Sequence, residues 1–169
     1  SYNQYNKNKI IKDLIFENNI VFENVSFKYS GTEKNTIEKF SLNINKNITV
    51  GIVGESGSGK STLTNLTMGL IQPTEGKILI DNTELNPTNI RVWQNKIGYV
   101  PQTTFLTDDS IIKNIALGYE KEEIDVDRVN ELIEYCKLTA MVESLNLNIE
   151  SKIGELGSKI SEGQKQRIG

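Results

Sequence analysis

From Ile20 the chain alternates. Val21, Glu23, Val25 and Phe27 fall on one side of Phe22, Asn24, Ser26 and Lys28, the period-two spacing of a strand. Ser30-Gly31-Thr32 marks a turn, and Ile37 to Asn45 alternates again through Phe40, Leu42 and Ile44. Asn45-Lys46-Asn47 turns into the apolar run Ile48-Thr49-Val50-Gly51-Ile52-Val53, which predicts a buried strand. A glycine-rich stretch follows, and then helical spacing at Leu63, Leu66 and Leu70. Gly69 to Pro73 ends that helix, Lys77 to Asp81 reads as a strand, and Pro87 opens a short helical piece through Trp93. Lys96 to Val100 reads as a further strand, stopped by Pro101. From Ser110 the period becomes helical, with Ile111, Ile112, Ile115 and Ala116 on one face. Val126, Val129, Leu132, Ile133 and Cys136 form a second stripe, with Asp125 as a candidate N-cap. Met141, Leu145 and Leu147 carry a shorter amphipathic piece, Gly154 and Gly157 mark a loop, and Ser161 to Gly169 opens another helix. Together these predict an α/β domain over residues 20–169, with a small antiparallel sheet in front and a helical part over about 103–160. Residues 1–19, polar and rich in Asn and Lys, read as a linker arriving from an upstream domain.

Composition changes this picture little. A chain of 169 residues, 37% apolar and 24% charged, is one domain with a real core. A net charge of −3 leaves no basic field to hold nucleic acid. The single cysteine, Cys136, excludes an internal disulfide and sits on an apolar stripe as a small hydrophobe. No apolar run approaches the roughly 20 residues of a membrane span. The acidic run from Glu120 to Asp127 reads as a solvated face rather than a metal site.

The chemistry concentrates in Gly54-Glu55-Ser56-Gly57-Ser58-Gly59-Lys60-Ser61-Thr62, set between a predicted strand and a predicted helix. A phosphate group wrapped by backbone N–H donors leaves no room for bulky Cβ substituents, and Gly54, Gly57 and Gly59 supply that freedom. The N-terminus of the following helix adds partial positive charge. Lys60 can reach the β- and γ-phosphates, and the Ser61 hydroxyl can ligate Mg²⁺. The stretch therefore predicts nucleoside triphosphate binding.

Several short stretches then fall into one family order. The chain resembles the nucleotide-binding domain of ATP-binding cassette (ABC) transporters of the exporter type, over roughly Ile20 to Gly169. Phe27-Lys28-Tyr29 is similar to the segment whose aromatic stacks on adenine, which implies that role for Tyr29. Tyr99-Val100-Pro101-Gln102 resembles the Q-loop, implying that Gln102 approaches Mg²⁺ and the attacking water. Asp109 to Ile115 is similar to the start of the family's helical subdomain, and Gly154-Glu155-Leu156-Gly157 to the exporter X-loop. Ile160-Ser161-Glu162-Gly163-Gln164-Lys165-Gln166-Arg167 resembles the signature motif, implying that Ser161, Glu162, Gly163 and Gln164 close on the ATP of a partner subunit. Glu162 departs from the family, which usually has glycine there. The resemblance implies an ATPase that, with Mg²⁺, drives export or flipping of a substrate, a lipid or lipid-linked glycan being one candidate. It further implies a head-to-tail pair of such domains beneath a transmembrane domain, at the cytoplasmic face of the membrane. The alternative is a soluble ABC-type ATPase of DNA repair or translation, against which the missing basic patch counts.

In the family the Walker B aspartate, the catalytic glutamate and the switch histidine follow the signature motif, whereas this chain contains no histidine. The expectation is a partial domain lacking its C-terminal part, which exposes unsatisfied sheet edges and binds ATP without turnover on its own.

Overall fold

The sheet is built around strand β1 (Asn19–Phe27). It pairs antiparallel with β2 (Ile37–Asn45) on one side and with β3 (Glu75–Ile80) on the other. A two-residue β4 (Thr83–Glu84) completes the order β2-β1-β3-β4. Alternation places Ile20 and Phe22 inside, and an irregularity at Asn24 turns Val25 inward as well, where they pack with Leu66, Ile78, Ile80 and Trp93. Register shifts interrupt both ladders of β1, between Phe22 and Val25 and between Val25 and Phe27 against β2, and between Glu23 and Ser26 against β3. Asn24 sits there with φ 47°, and Gly76 lies opposite with φ 75°. A Cβ on Gly76 would overlap the carbonyl oxygens of Glu23 and Asn24, so the bulge requires glycine across from it.

The structure, a computed structural model, describes residues 14–144, 148–154, 158 and 160–169. It divides into two units, Ser1–Ile97 and Gly98–Gly169. The first holds the sheet together with helices α1 (Lys60–Thr67) and α2 (Ile90–Gln94). Trp93 on α2 is buried and its indole N–H donates to the Thr67 carbonyl at 2.7 Å, which ties α2 to the end of α1. The second unit is helical: α3 (Ile111–Ile115), a 3₁₀ turn (Lys121–Glu123), α4 (Val126–Tyr135), α5 (Thr139–Ser144) and α6 (Glu162–Ile168). Ile111, Ile112, Val129, Ile133, Ile153 and Ile168 form its core, with Cys136 packed against them. Asp125 caps α4 as expected, accepting from the Arg128 amide at 3.0 Å.

Two expected strands are absent. Ile48 to Val53 forms no strand among the described residues, and its apolar side chains face outward, Val53 at 93% exposure. Residues 97–100 are likewise without regular structure, and Tyr99 and Val100 are exposed. Both runs have strand composition, but a strand exists only through the ladder of a neighbour, and the β1–β4 sheet offers them none. The X-loop residues Glu155, Leu156 and Gly157 lie outside the described residues, as do Leu145 and Leu147.

The stretch leading into β1 is anchored. Leu14 is buried, and Phe16 meets Trp93 edge-on with ring centroids 5.7 Å apart. The Asp81 carboxylate accepts three backbone N–H groups, from Glu17, Asn18 and Asn19, each at 2.8 Å. Lys46 adds a donor to the Phe16 carbonyl at 3.1 Å. Desolvation pushes the Asp81 carboxyl up, but the amides of Glu17, Asn19 and Asn18 and the Lys46 charge outweigh it and hold it below its ordinary 3.8. A carboxyl lowered on folding contributes stability that is present above its unfolded value and is lost as pH falls through the folded value. The anchor is therefore intact at neutral pH and released only below about pH 3.8. Asp81→Asn is expected to release it at neutral pH. Amide exchange at residues 17–19 should quicken roughly three- to tenfold, the loss of exposed charge-assisted hydrogen bonds; unchanged exchange would remove Asp81 from this role.

Candidate functional site

The stretch 54–62 folds as a loop and a helix start. Gly57 and Gly59 take φ values of 81° and 92°. A Cβ on Gly59 would stand 2.8 Å from Ile37 Cδ1 and 3.0 Å from the Thr36 carbonyl oxygen. Only glycine lets α1 begin this close to the start of β2. Beyond Gly57 the space is open, with nothing within 4 Å of where a Cβ would lie. Residues 54–58 are exposed, and open space next to a glycine loop and a helix N-terminus fits an anion approaching from solvent.

Lys60 is the first residue of α1, and its side chain turns back over the loop. The ammonium donates to the Gly54 carbonyl at 2.9 Å and to the Glu55 carbonyl at 2.6 Å. It straps the loop closed while holding a positive charge at its mouth. Ser61 is exposed, and its hydroxyl makes no hydrogen bond among the described residues. That leaves a free oxygen of the kind a hard divalent cation takes. Ammonium, free hydroxyl and glycine loop together fit a magnesium–triphosphate group.

Tyr29 and Thr62 are brought together. The Tyr29 hydroxyl lies 3.1 Å from Thr62 Oγ1, and Thr62 is buried one turn into α1. The Tyr29 ring stands edge-on to Phe27 at 4.8 Å between centroids, yet remains 42% exposed. Phe27 thus fixes the ring angle, Thr62 fixes its tip, and part of the ring stays open to solvent. The contact joins positions 33 apart in sequence, so no local pattern announces it.

Gln102 and the residues Ser161 to Gln164 belong to the second unit. Ser161 caps α6: its hydroxyl accepts from the Gln164 amide at 3.3 Å, and the Gln164 side chain accepts from the Ser161 amide at 2.8 Å. Glu162 sits in the first turn, where an acid suits the helix dipole. Its carboxylate pairs with Lys165 at 2.8 Å, which offsets the negative charge that distinguishes this motif from the family's glycine. Gly163 is exposed, with open space where a Cβ would lie.

Three residues make contacts to which the sequence assigned no individual role. Asn114 is buried, accepts from the Thr107 amide at 2.8 Å and donates to the Ser110 carbonyl at 2.9 Å, so it stitches the loop before α3. Arg167 donates to the carbonyls of Cys136 and Lys137 at 3.3 and 3.0 Å, tying α6 to the end of α4. Gln166 donates to the Gln102 carbonyl at 2.8 Å. Only Asn114 carried a signal, a polar residue inside an apolar helical face.

A family described as ABC transporter matches residues 37–169. A Bacillus subtilis (strain 168) protein with the provisional name multidrug export ATP-binding/permease protein YgaD is 38% identical over 149 residues, 88% of this chain and 25% of that protein. An ATP-dependent lipid A-core flippase of Cupriavidus pinatubonensis is 36% identical over 150 residues, again 88% of this chain and 25% of the relative. Among solved structures, a bacterial Atm1-family ABC exporter with ATP bound superposes with a TM-score of 0.81 at 29% identity, covering 94% of this chain and 27% of that one. The chain therefore spans about a quarter of the length of the relatives it matches, and it belongs to the ABC transporter family as an ATPase domain of the exporter type.

Proposed function

We propose that the chain binds Mg²⁺–ATP through residues 54–62 and Tyr29, and that the protein carrying it hydrolyses ATP to power export or flipping across a membrane. The observation that carries the binding site is the Tyr29–Thr62 hydrogen bond. It holds an exposed aromatic ring one bond away from the helix that opens on the phosphate loop. Bound magnesium supplies charge neutralisation to the phosphates. Lys60 contributes a second positive charge, Ser61 an oxygen ligand, and Gln102 an amide for water and metal. Ser161 to Gln164 act on the nucleotide of a second such domain, head to tail. A transmembrane domain is the partner, and the cytoplasmic face is the location. The relatives named above support this reading, one being named a multidrug exporter and one a lipid A-core flippase. A lipid or lipid-linked glycan is the candidate cargo, a reading that the flippase's name supports. No helix among the described residues is long and apolar enough to cross a membrane. A DNA-repair or translation role has no such support.

Titration with ATP and Mg²⁺ tests the reading. Stacking on a base contributes about 1–3 kcal/mol and tolerates base identity. Tyr29→Ala should therefore weaken ATP and GTP alike, by roughly 5- to 150-fold. Tyr29→Phe keeps the stack and loses only the tie to Thr62, which costs about two- to fivefold. If Tyr29→Ala bound both nucleotides as tightly as wild type, the ring would be a packing residue and the base site would lie elsewhere.

A further inference from the structure

We infer that Gln166 is a positioning residue that couples the Gln102 loop to helix α6, so that closure at Ser161 and the placement of Gln102 change together. The inference rests on the proposed roles of Gln102 and Ser161 and adds the connection between them.

Two contacts join α6 directly to the Gln102 loop, and the helical core and Arg167 hold both in place. The Gln166 amide donates to the Gln102 backbone carbonyl at 2.8 Å, across 64 residues of sequence. At the end of α6, Gly169 lies so close to Thr104 that a Cβ there would collide with the Thr104 side chain. The Thr104 hydroxyl beside it is buried and has no hydrogen-bond partner among the described residues. Ile168 and Leu106, on the same two segments, are both buried in the helical core. On its other side α6 is held by Arg167 to the last carbonyls of α4. A shift of α6 therefore pulls on the Gln102 carbonyl through Gln166, while the Thr104–Gly169 contact stops the loop from sliding. The Gln102 side chain springs from that same residue, so tilting its peptide re-aims the side-chain amide. Reacting groups displaced by about 1 Å lose up to a hundredfold in rate, so one neutral hydrogen bond suffices to matter here.

ATP hydrolysis by the full-length protein tests this. Gln166→Glu keeps the size but replaces the donor by a carboxylate facing a carbonyl, and Gln166→Leu removes the donor. Both are expected to lower kcat about five- to tenfold with KM for ATP within about twofold. Both should raise the Mg²⁺ concentration needed for half-maximal rate, which a merely structural residue would leave alone. Gln166→Lys restores a donor and should recover most of the rate. Gln102→Ala and Ser161→Arg are the reference variants. If those two keep full activity, the roles assigned to Gln102 and Ser161 are wrong. If they lose activity while Gln166→Glu and Gln166→Leu behave as wild type, the coupling alone is overturned. It is also overturned if Gln166→Lys is as slow as Gln166→Leu.

Discussion

Ser161→Arg is expected to abolish ATP turnover in the full-length protein, lowering the rate at least about a hundredfold, the scale on which a lost transition-state donor acts. ATP binding should stay within about twofold, because Lys60 and Ser61 belong to the other unit of the chain. Ser161 has two duties that must be separated. Its hydroxyl caps α6, and losing a serine cap costs about 1 kcal/mol in any helix. Ser161→Ala removes the cap and the hydroxyl without adding bulk, and should leave measurable turnover. The arginine adds a long charged side chain where a partner's nucleotide would close, so its rate should fall far below that of Ser161→Ala. Measuring both rates beside ATP affinity decides the matter. Wild-type turnover in Ser161→Arg would remove the signature role from this helix.

Lys60→Ala should weaken ATP binding roughly 10- to 150-fold, the loss of a charge-assisted contact of about 1.5–3 kcal/mol. The structure points to the lower half of that range. The Lys60 ammonium is bonded to the Gly54 and Glu55 carbonyls. Phosphate therefore replaces existing partners instead of meeting an unsatisfied charge. Removing Lys60 also unstraps the loop, so the variant should show faster amide exchange over residues 54–58 even without ATP. Titration by calorimetry, with exchange measured on the same samples, checks both. Equal affinities would exclude Lys60 from the phosphate site.

Features set by neighbours in sequence were legible; features set by distant partners were not. The strands over Ile20–Phe27 and Ile37–Asn45 and the Asp125 cap follow from residues within a few positions of each other, and the structure has them. The same rules failed at Ile48–Val53 and at 97–100. Periodicity reports how apolar a segment is, whereas a strand needs a second backbone beside it. The glycine loop and the helix start at Lys60 were readable because the spacing of glycines before an apolar helical stripe is a local pattern. The Tyr29–Thr62 bond, the Asp81 anchor and the Gln166–Gln102 bond bridge 33 to 64 residues and use residue types common on any surface. Glu162 shows the intermediate case. Its departure from the family was plain, but the Lys165 pairing that offsets its charge required coordinates.

Freshly synthesised, this polypeptide carries a sticky edge. Ile48, Val50, Ile52 and Val53 stand in a row, outward-facing and without a charge among them. A run of that composition, when it lacks a partner, can pair with another copy as a strand. Lys46 on one side and Glu55 on the other flank the strip, the charged gatekeepers that hold apolar segments of two nascent chains apart.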